Sequence, residues 1–331
     1  MINYFRYITF YKIYNYFLLA ISYLLSALLH KNIRWGEYAA LSIEPTNSCN
    51  LSCPECPTGM ASLQRDKGKF PFDAFEKLIA EKKSSLIYLN FYFQGEPFLN
   101  KDLLQMVNVA HRNKIYTSTS TNAQLINKEI AKEIVLSGLD RILISIDGTT
   151  QEVFERYRVG GDLAKVLSAT KEIVYWKKKL KRNNPQLVFQ FLVFRFNEHQ
   201  IPEIKAMAKA MNVDKLSFKT AQLYHLENAD EIVPTIDKYA RYKKDKDARW
   251  KIKSNFPNRC WRMWHSAVIT QDLNLVPCCF DKDAEHIFGN IKQNTLSEIE
   301  QNVLYKNFRT QITENRAAIE ICRNCSEGLD L

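Results

Sequence analysis

Glycine and proline are scarce in this chain, ten of each in 331 residues, and that scarcity excludes collagen-like, mucin-like and Pro/Gly-rich disordered classes. Cysteine is dilute too, since eight residues in a chain of this length cannot make a disulfide-stapled scaffold. No uncharged apolar run reaches the ~20 residues of a comfortable transmembrane helix. There is no low-complexity segment. Acidic residues are the minority charge: 46 Lys and Arg against 36 Asp and Glu give +10. That balance favours an acidic protein, an anionic membrane surface or nucleic acid as neighbour, without choosing among them. What is present, 46% apolar and 12% aromatic residues, suits one large domain or a medium domain with a small one.

The amino terminus is a zone of its own. From Ile13 to Leu29 no residue is charged, while Arg6 and Lys12 precede this run and His30, Lys31 and Arg34 follow it. Basic residues at both ends give no orientation by the positive-inside rule. Tyr and Phe interleave from Tyr4 to Phe17, as in a segment lying at a membrane interface. No small-residue cleavage site follows, and grouped cysteines suit a reducing compartment, which argues against a signal peptide. Residues 1–36 are therefore read as a hydrophobic segment forming a membrane-associating helix. The alternative is a helix packed on the protein's own core or on a second subunit. The expected location is cytoplasmic, associated with the inner face of the cytoplasmic membrane.

After Gly36 strand-like apolar runs alternate with helix-like amphipathic runs. Strands are predicted at 39–43, 86–93, 115–120, 141–146, 187–194 and 215–219, and helices near 73–83, 102–113, 128–137, 161–179 and 201–211. Six strands separated by crossover helices mean a parallel sheet, doubly wound or an open barrel, with the chemistry at the carboxyl ends of the strands. The pattern decays after Lys219, and the charged stretch Asp237–Lys253 reads as a linker or a solvated helix. From Cys260 onward come short elements and further cysteines.

At the end of the first predicted strand stands Glu44-Pro45-Thr46-Asn47-Ser48-Cys49-Asn50-Leu51-Ser52-Cys53-Pro54-Glu55-Cys56-Pro57. Three prolines keep this loop out of regular structure, so it can bring three thiolates onto one metal centre. Tetrahedral zinc wants a fourth ligand, and none stands nearby in sequence. Three thiolates on a 4Fe–4S cluster instead leave one iron open to a substrate or cosubstrate.

The CNLSCPEC loop after a first strand resembles the radical S-adenosylmethionine (SAM) superfamily. Later motifs come in that family's order at predicted strand ends. Gly95-Glu96-Pro97 resembles the Gly-Glu-Pro element that receives the methionine amino group. Thr121-Asn122-Ala123 is similar to Thr-Asn-Gly, with Ala123 where glycine is usual. Ser145-Ile146-Asp147-Gly148 resembles Ser-x-Asp-Gly, with Ser145 a cofactor hydroxyl contact; Asp147 could equally cap the following helix. Arg158, in Tyr157-Arg158-Val159-Gly160-Gly161, resembles the arginine that pairs with the methionine carboxylate, where a planar bidentate donor suits the geometry. Glu55 replaces an aromatic residue common before the third cysteine. The resemblance implies an open (β/α)6 partial TIM barrel, with Cys49, Cys53 and Cys56 holding the SAM-binding 4Fe–4S cluster.

In the tail, Cys260, Cys278, Cys279, Cys322 and Cys325, with Phe288-Gly289-Asn290-Ile291 between, resemble the SPASM or shorter twitch extension of radical enzymes. That implies a small cysteine-rich domain with one auxiliary 4Fe–4S cluster on Cys260, Cys278, Cys322 and Cys325. Spacing alone leaves a four-thiolate zinc site open. Cys279 is the spare, able to exchange with Cys278. Leu273 stands where the family carries glycine before the second ligand. The domains are thus 1–36 amino-terminal segment, 37–235 radical SAM core, 236–258 linker or charged helix, and 259–331 auxiliary-cluster domain.

The resemblance implies reductive cleavage of SAM to a 5′-deoxyadenosyl radical, hydrogen abstraction from a substrate, and net oxidation as the auxiliary cluster takes the surplus electron. The enzyme class is then a radical SAM oxidoreductase. The electron donor is an acidic low-potential protein, flavodoxin or ferredoxin, docked by the basic chain, with Lys177–Arg182 as a candidate patch. With only ~35 residues before the first strand, too few for a separate recognition domain, the expected substrate is a small molecule or a membrane-linked compound. The alternative is a peptide presented by a partner. Two further readings are a non-catalytic metal-binding protein and an RNA-modifying protein; the core lacks the interleaved aromatic and basic residues that would favour nucleic acid.

Overall fold

The computed structural model describes residues 4–325; residues 1–3 and 326–331, the latter inside the predicted 259–331 region, lie outside it. The chain runs α1 (Phe10–Leu29), β1 (Ala40–Ile43), α2 (Phe72–Lys82), β2 (Tyr88–Phe91), α3 (Leu103–Arg112), β3 (Tyr116–Thr121), α4 (Lys128–Leu136) and β4 (Arg141–Ser145). It continues with α5 (Gln151–Tyr157), α6 (Leu163–Lys179), β5 (Gln186–Val193), α7 (Ile201–Ala210), β6 (Lys215–Thr220) and α8 (Ala229–Ile232). Then come β7 (Tyr242–Lys244), β8 (Trp250–Ile252), α9 (Arg262–His265), β9 (Ser266–Ile269), β10 (Asn274–Val276), β11 (Gly289–Asn290), α10 (Leu296–Gln301) and α11 (Val303–Asn315). The six predicted strands and their five intervening helices are all present, each within a few residues of its predicted range. They form the expected open (β/α)6 partial barrel, with the cysteine-bearing tail following it.

The compact units do not follow chain order. One gathers the residues up to 48, 63–118 and those from 256; the other holds 49–62 and 119–255. In the first, strands lie in the order β11-β10-β9-β1-β2-β3. β1 pairs parallel with β2, Leu41 opposite Leu89, and on its other side parallel with β9, Leu41 opposite Ala267. The chain then turns back antiparallel into β10 and β11. Thus the tail contributes its first strand directly beside β1. No local pattern in four residues announces so distant a partner.

In the second unit the order is β3-β4-β5-β6. β4 and β5 pair parallel with Leu143 opposite Val188, and β5 and β6 with Phe191 opposite Phe218. Ile142, Leu143 and Ile144 are all buried, the continuous apolar run of a parallel strand covered on both faces. Helix starts are fixed by side chains that satisfy free backbone donors. Asn127 accepts from Ile130 N at 2.9 Å before α4, and Asp162 from Ala164 N at 2.8 Å before α6.

One reading needs correction. Asp237–Lys253 is neither a plain linker nor a helix: Tyr242–Lys244 and Trp250–Ile252 form an antiparallel hairpin. Asp245 closes its turn, accepting from Asp247 N and Arg249 N at 2.9 and 3.0 Å. Tyr242 is buried in a cluster with Leu223, Ala229 and Val233, and its hydroxyl oxygen accepts from Leu223 N at 2.9 Å. The lysines hid a short alternating pattern. The short α5, seven residues long, lies outside the predicted helices.

Candidate functional site

The loop after β1 coils on itself. Cys56 N donates to Cys53 O at 3.3 Å, Met60 N to Cys56 O at 2.8 Å and Ser62 N to Pro57 O at 3.0 Å. Gly59 permits the coil, because a Cβ there would come within 2.5 Å of both the Cys53 nitrogen and its carbonyl oxygen. Ser52 N donates to Val159 O at 3.1 Å, tying the loop to the segment that carries Arg158. The outcome is a turn whose three thiols all lie within its first half. Cys53 is buried, while Cys49 and Cys56 are partly exposed.

Two N–H donors approach these sulfurs. Asn122 Nδ2 lies 3.8 Å from Cys49 Sγ and donates to Asn50 Oδ1 at 2.9 Å. Arg158 Nη1 lies 3.8 Å from Cys53 Sγ, while its Nε donates to Asp147 Oδ2 at 2.6 Å. Burial pushes the Cys53 thiol up; Arg158 opposes that and Cys56 reinforces it. A metal would reverse the balance, since a coordinated thiol is deprotonated. Burial works against the Arg158 cation too, but Asp147 and Cys53 outweigh it and raise its affinity for the proton.

Asp147 is fully buried. Its other oxygen accepts from Leu192 N at 2.6 Å, and its carbonyl accepts from Asn197 Nδ2 at 2.9 Å. The helix-capping alternative for Asp147 therefore falls. Thr150 caps α5 by accepting from Val153 N, and Asp147 serves to orient Arg158. Sequence reasoning missed Asn197, which also donates to Leu192 O and accepts from Phe194 N. Ser145 ends β4, buried and opposite Gln190. Thr121 Oγ1 accepts from Ala123 N at 2.9 Å, closing the turn in which Ala123 takes φ 60°. Glu55 accepts from Tyr224 N at 2.9 Å. Its carboxylate thus fastens residues 222–225 where the family carries an aromatic ring.

In the first unit, Gly95 adopts φ +73°, and a Cβ there would sit 2.4 Å from Thr46 O and 2.6 Å from Ser48 O. Only glycine lets this turn lie so close to the backbone directly before Cys49. Glu96 N donates to Ser48 O at 2.8 Å, and Glu96 Oε1 accepts from Phe98 N at 3.3 Å ahead of Pro97. At the end of β1, Glu44 takes a bidentate pair from Arg65 at 2.6 and 2.7 Å and accepts from Gln271 N at 3.0 Å. Sequence reasoning missed this buried clamp, because its partners are far apart in the chain.

The tail gathers its own thiols. Burial raises the Cys278 thiol well above its ordinary value, and Cys279, Cys260 and Cys325 lie near enough to add to that. Burial raises Cys322 as well, opposed by Arg316. Arg316, itself buried, faces Cys260, Cys322 and Cys325 and donates to Arg259 O at 3.2 Å. Arg262 Nη1 lies 3.8 Å from Cys279 Sγ. Both arginines went unnoticed in the sequence; their closeness to cysteine in the chain was the available signal.

Among the described residues no three Cys, His, Asp or Glu side chains are grouped as for a single metal ion. A 4Fe–4S cluster makes a different demand, one thiolate to each of several irons. The donor chemistry fits such a cluster in both places: thiols with no competing hard ligand, and Asn or Arg N–H groups facing sulfur, which is how a protein tunes cluster potential.

Residues 43–208 match the radical SAM superfamily, and residues 260–326 match SPASM, an iron–sulfur cluster-binding domain. The PqqA peptide cyclase of Rhodopseudomonas palustris is 27% identical over 206 residues, 61% of this chain and 52% of that protein. The chain thus spans about half the length of the first curated relatives it matches. A tungsten-containing aldehyde ferredoxin oxidoreductase cofactor-modifying protein of Pyrococcus furiosus is 25% identical over 317 residues, 86% of each chain. Among solved structures, Streptococcus suis SuiB bound to S-adenosylmethionine superposes with a TM-score of 0.65 at 16% identity, over 93% of this chain and 76% of that one. The likeness shows a shared fold.

Proposed function

Since the chain belongs to the radical SAM superfamily and carries a SPASM domain, we propose that it is a peptide-modifying enzyme that oxidises a side chain of a peptide handed to it. Its cofactors are SAM, the SAM-binding 4Fe–4S cluster and auxiliary iron–sulfur. When bound, they supply a 5′-deoxyadenosyl radical able to take a hydrogen atom from an unactivated C–H bond. In this reading Cys49, Cys53 and Cys56 hold the first cluster, and Cys260, Cys278, Cys322 and Cys325 hold an auxiliary one.

In this reading further residues divide the remaining work. Gly95-Glu96-Pro97 offers backbone for the methionine amino group. Arg158, oriented by Asp147, offers N–H donors to the methionine carboxylate. Asn122 and Arg158 stabilise charge on sulfur, and Ser145 offers a hydroxyl. The four tail thiols leave no ligand position for substrate, so the tail serves to receive one electron. The balance is then two hydrogens lost from substrate: one hydrogen atom to 5′-deoxyadenosine, one proton to solvent and one electron to the tail, as a new bond or a double bond forms. This makes the enzyme an oxidoreductase, with an acidic flavodoxin or ferredoxin as donor.

One observation carries the choice of a peptide over the small or membrane-linked molecule that the short amino terminus suggested: relatives that match 61% of this chain are named as PqqA peptide cyclases. SuiB, of the same fold, has been captured with its precursor peptide SuiA. The test is anaerobic incubation of the reconstituted protein with SAM, a reductant and a library of short peptides, followed by mass spectrometry. A loss of two hydrogens from one peptide, dependent on Cys53, is expected. SAM cleavage that leaves every such peptide unchanged would return the reading to a small substrate.

A further inference from the structure

Helix α1 is folded inside out. The side chains it buries are Lys12, Asn15, Leu19, Ser22 and Ser26, spaced three and four apart and hence on one face. Four of the five are polar, and each is pinned. Lys12 Nζ donates to Lys114 O at 2.6 Å. Asn15 exchanges two hydrogen bonds with the Glu37 backbone, at 3.0 and 2.7 Å. Ser22 Oγ donates to Leu19 O at 3.0 Å. Ser26 Oγ donates to Ile33 O at 2.6 Å and accepts from Ile33 N at 2.9 Å. Tyr16 and Tyr23 add edge contacts to Trp261, at 5.6 and 5.2 Å between ring centroids.

The opposite face is apolar and bare. Phe10 is 87% exposed, Leu28 75%, Phe17 59%, and Ile13 and Leu24 both 57%. A helix that only needed its own core would show the reverse arrangement. Contiguous apolar surface of this kind marks a docking site. Charge identifies what docks. Residues 1–36 contain Arg6, Lys12, Lys31 and Arg34 and no Asp or Glu. Arg6, before the run, and Lys31, after it, are exposed, while Arg34 is spent on Glu300 at 2.8 Å.

From this geometry we infer that α1 is a surface anchor that lies flat in an anionic lipid bilayer, its Phe10–Leu28 face immersed and its polar face kept on the protein. α1 is long and apolar enough to cross a membrane, but crossing would tear Lys12 and Asn15 from their partners and place a lysine in hydrocarbon. Lying flat breaks none of these bonds. Aromatic residues at interface depth and cations at headgroup depth then each meet their preferred surroundings. A second copy of the chain would instead set Arg6 and Lys31 against like charges.

The test uses full-length protein with vesicles of phosphatidylcholine alone and of phosphatidylcholine with phosphatidylglycerol, in a flotation assay. The wild type should float with the anionic vesicles and be released by high salt. The Phe17→Ser/Leu24→Ser/Leu28→Ser variant, altered only at exposed positions, should keep its melting temperature and lose roughly a hundred-fold in partitioning. Wild-type protein that stays out of anionic vesicles overturns the inference. So does binding that only detergent reverses, which is the mark of a spanning helix. A concentration-dependent dimer abolished by the triple variant, without flotation, would assign the face to a second copy instead.

Discussion

The two cysteine regions solve one chemical problem in opposite ways. The 49–56 loop holds three thiols within eight residues and needs only Gly59, three prolines and a few backbone hydrogen bonds to present them. The tail spreads Cys260, Cys278, Cys322 and Cys325 over 66 residues and must fold β9, β10, α10 and α11 before they meet. The loop keeps Cys49 and Cys56 partly exposed and Cys53 buried, whereas in the tail Cys260, Cys322 and Cys325 are buried and Cys278 is partly exposed. In the proposed reading the local loop is the site that reacts, and the tail, with four thiols as ligands, suits electron transfer, where nothing has to enter.

The largest expected effect separates the two outright. Cys53→Ala should abolish 5′-deoxyadenosine release, while Cys322→Ala should leave that release intact and remove product. Chromatography of the nucleoside, with iron analysis on anaerobically reconstituted protein, reads both. Bound iron should fall by about half in each variant if each region holds one 4Fe–4S cluster. Zinc in place of iron in the tail would leave it a structural site, and the oxidative part of the proposal would go. Loss of nucleoside in both variants would mean that the tail supports the fold.

A smaller contrast lies in the two arginines. Arg158→Ala leaves the Asp147 carboxylate buried without its cation, a change that costs about 3–5 kcal/mol. Arg316→Ala removes bonds to the Pro257 and Arg259 carbonyls and to the Cys322 sulfur, and should cost about 1–2 kcal/mol. Chemical denaturation of the metal-free proteins measures the gap, and Arg158→Lys should recover part of the loss. Equal costs would mean that Arg158 matters for SAM alone and Asp147 has another source of charge balance.

The legible parts of the molecule were those whose signal is local. β4 could be read because Ile142, Leu143 and Ile144 form an unbroken apolar run, and α6 because Asp162 opens a long amphipathic stretch. The cysteine loop was legible for the same reason, contiguity. β9 was not, since its place beside β1 depends on a register between residues more than two hundred positions apart. The hairpin at 242–252 was hidden under lysines, whose companions, buried Tyr242 and half-buried Trp250, join the Leu223 cluster only in the fold. The apolar run at 13–29 was visible, but not that Lys12, Asn15, Ser22 and Ser26 would point inward, because which face of a helix is buried depends on what it meets.

The smallest expected effect tests the two positions where this chain departs from the family's glycine. Ala123 takes φ 60° and Leu273 φ 72°, so the backbone has kept a left-handed turn at both and a side chain has been added. Left-handed backbone costs an L-residue about 1–2 kcal/mol, and glycine would relieve it while giving back about 0.4–1 kcal/mol in unfolded-state entropy. What remains is burial. Ala123 hides one methyl, about 0.8 kcal/mol, and Leu273 hides a whole isobutyl group, about 1.5–3 kcal/mol, with a cavity if it is removed. Ala123→Gly should therefore leave the melting temperature nearly unchanged, whereas Leu273→Gly should lower stability by about 2 kcal/mol. In the loop unit the substitution is close to neutral; in the tail it has become part of the buried core. Equal stabilisation by both glycines would show that strain outweighs burial, and the tail would then owe less to its core than its buried cysteines suggest.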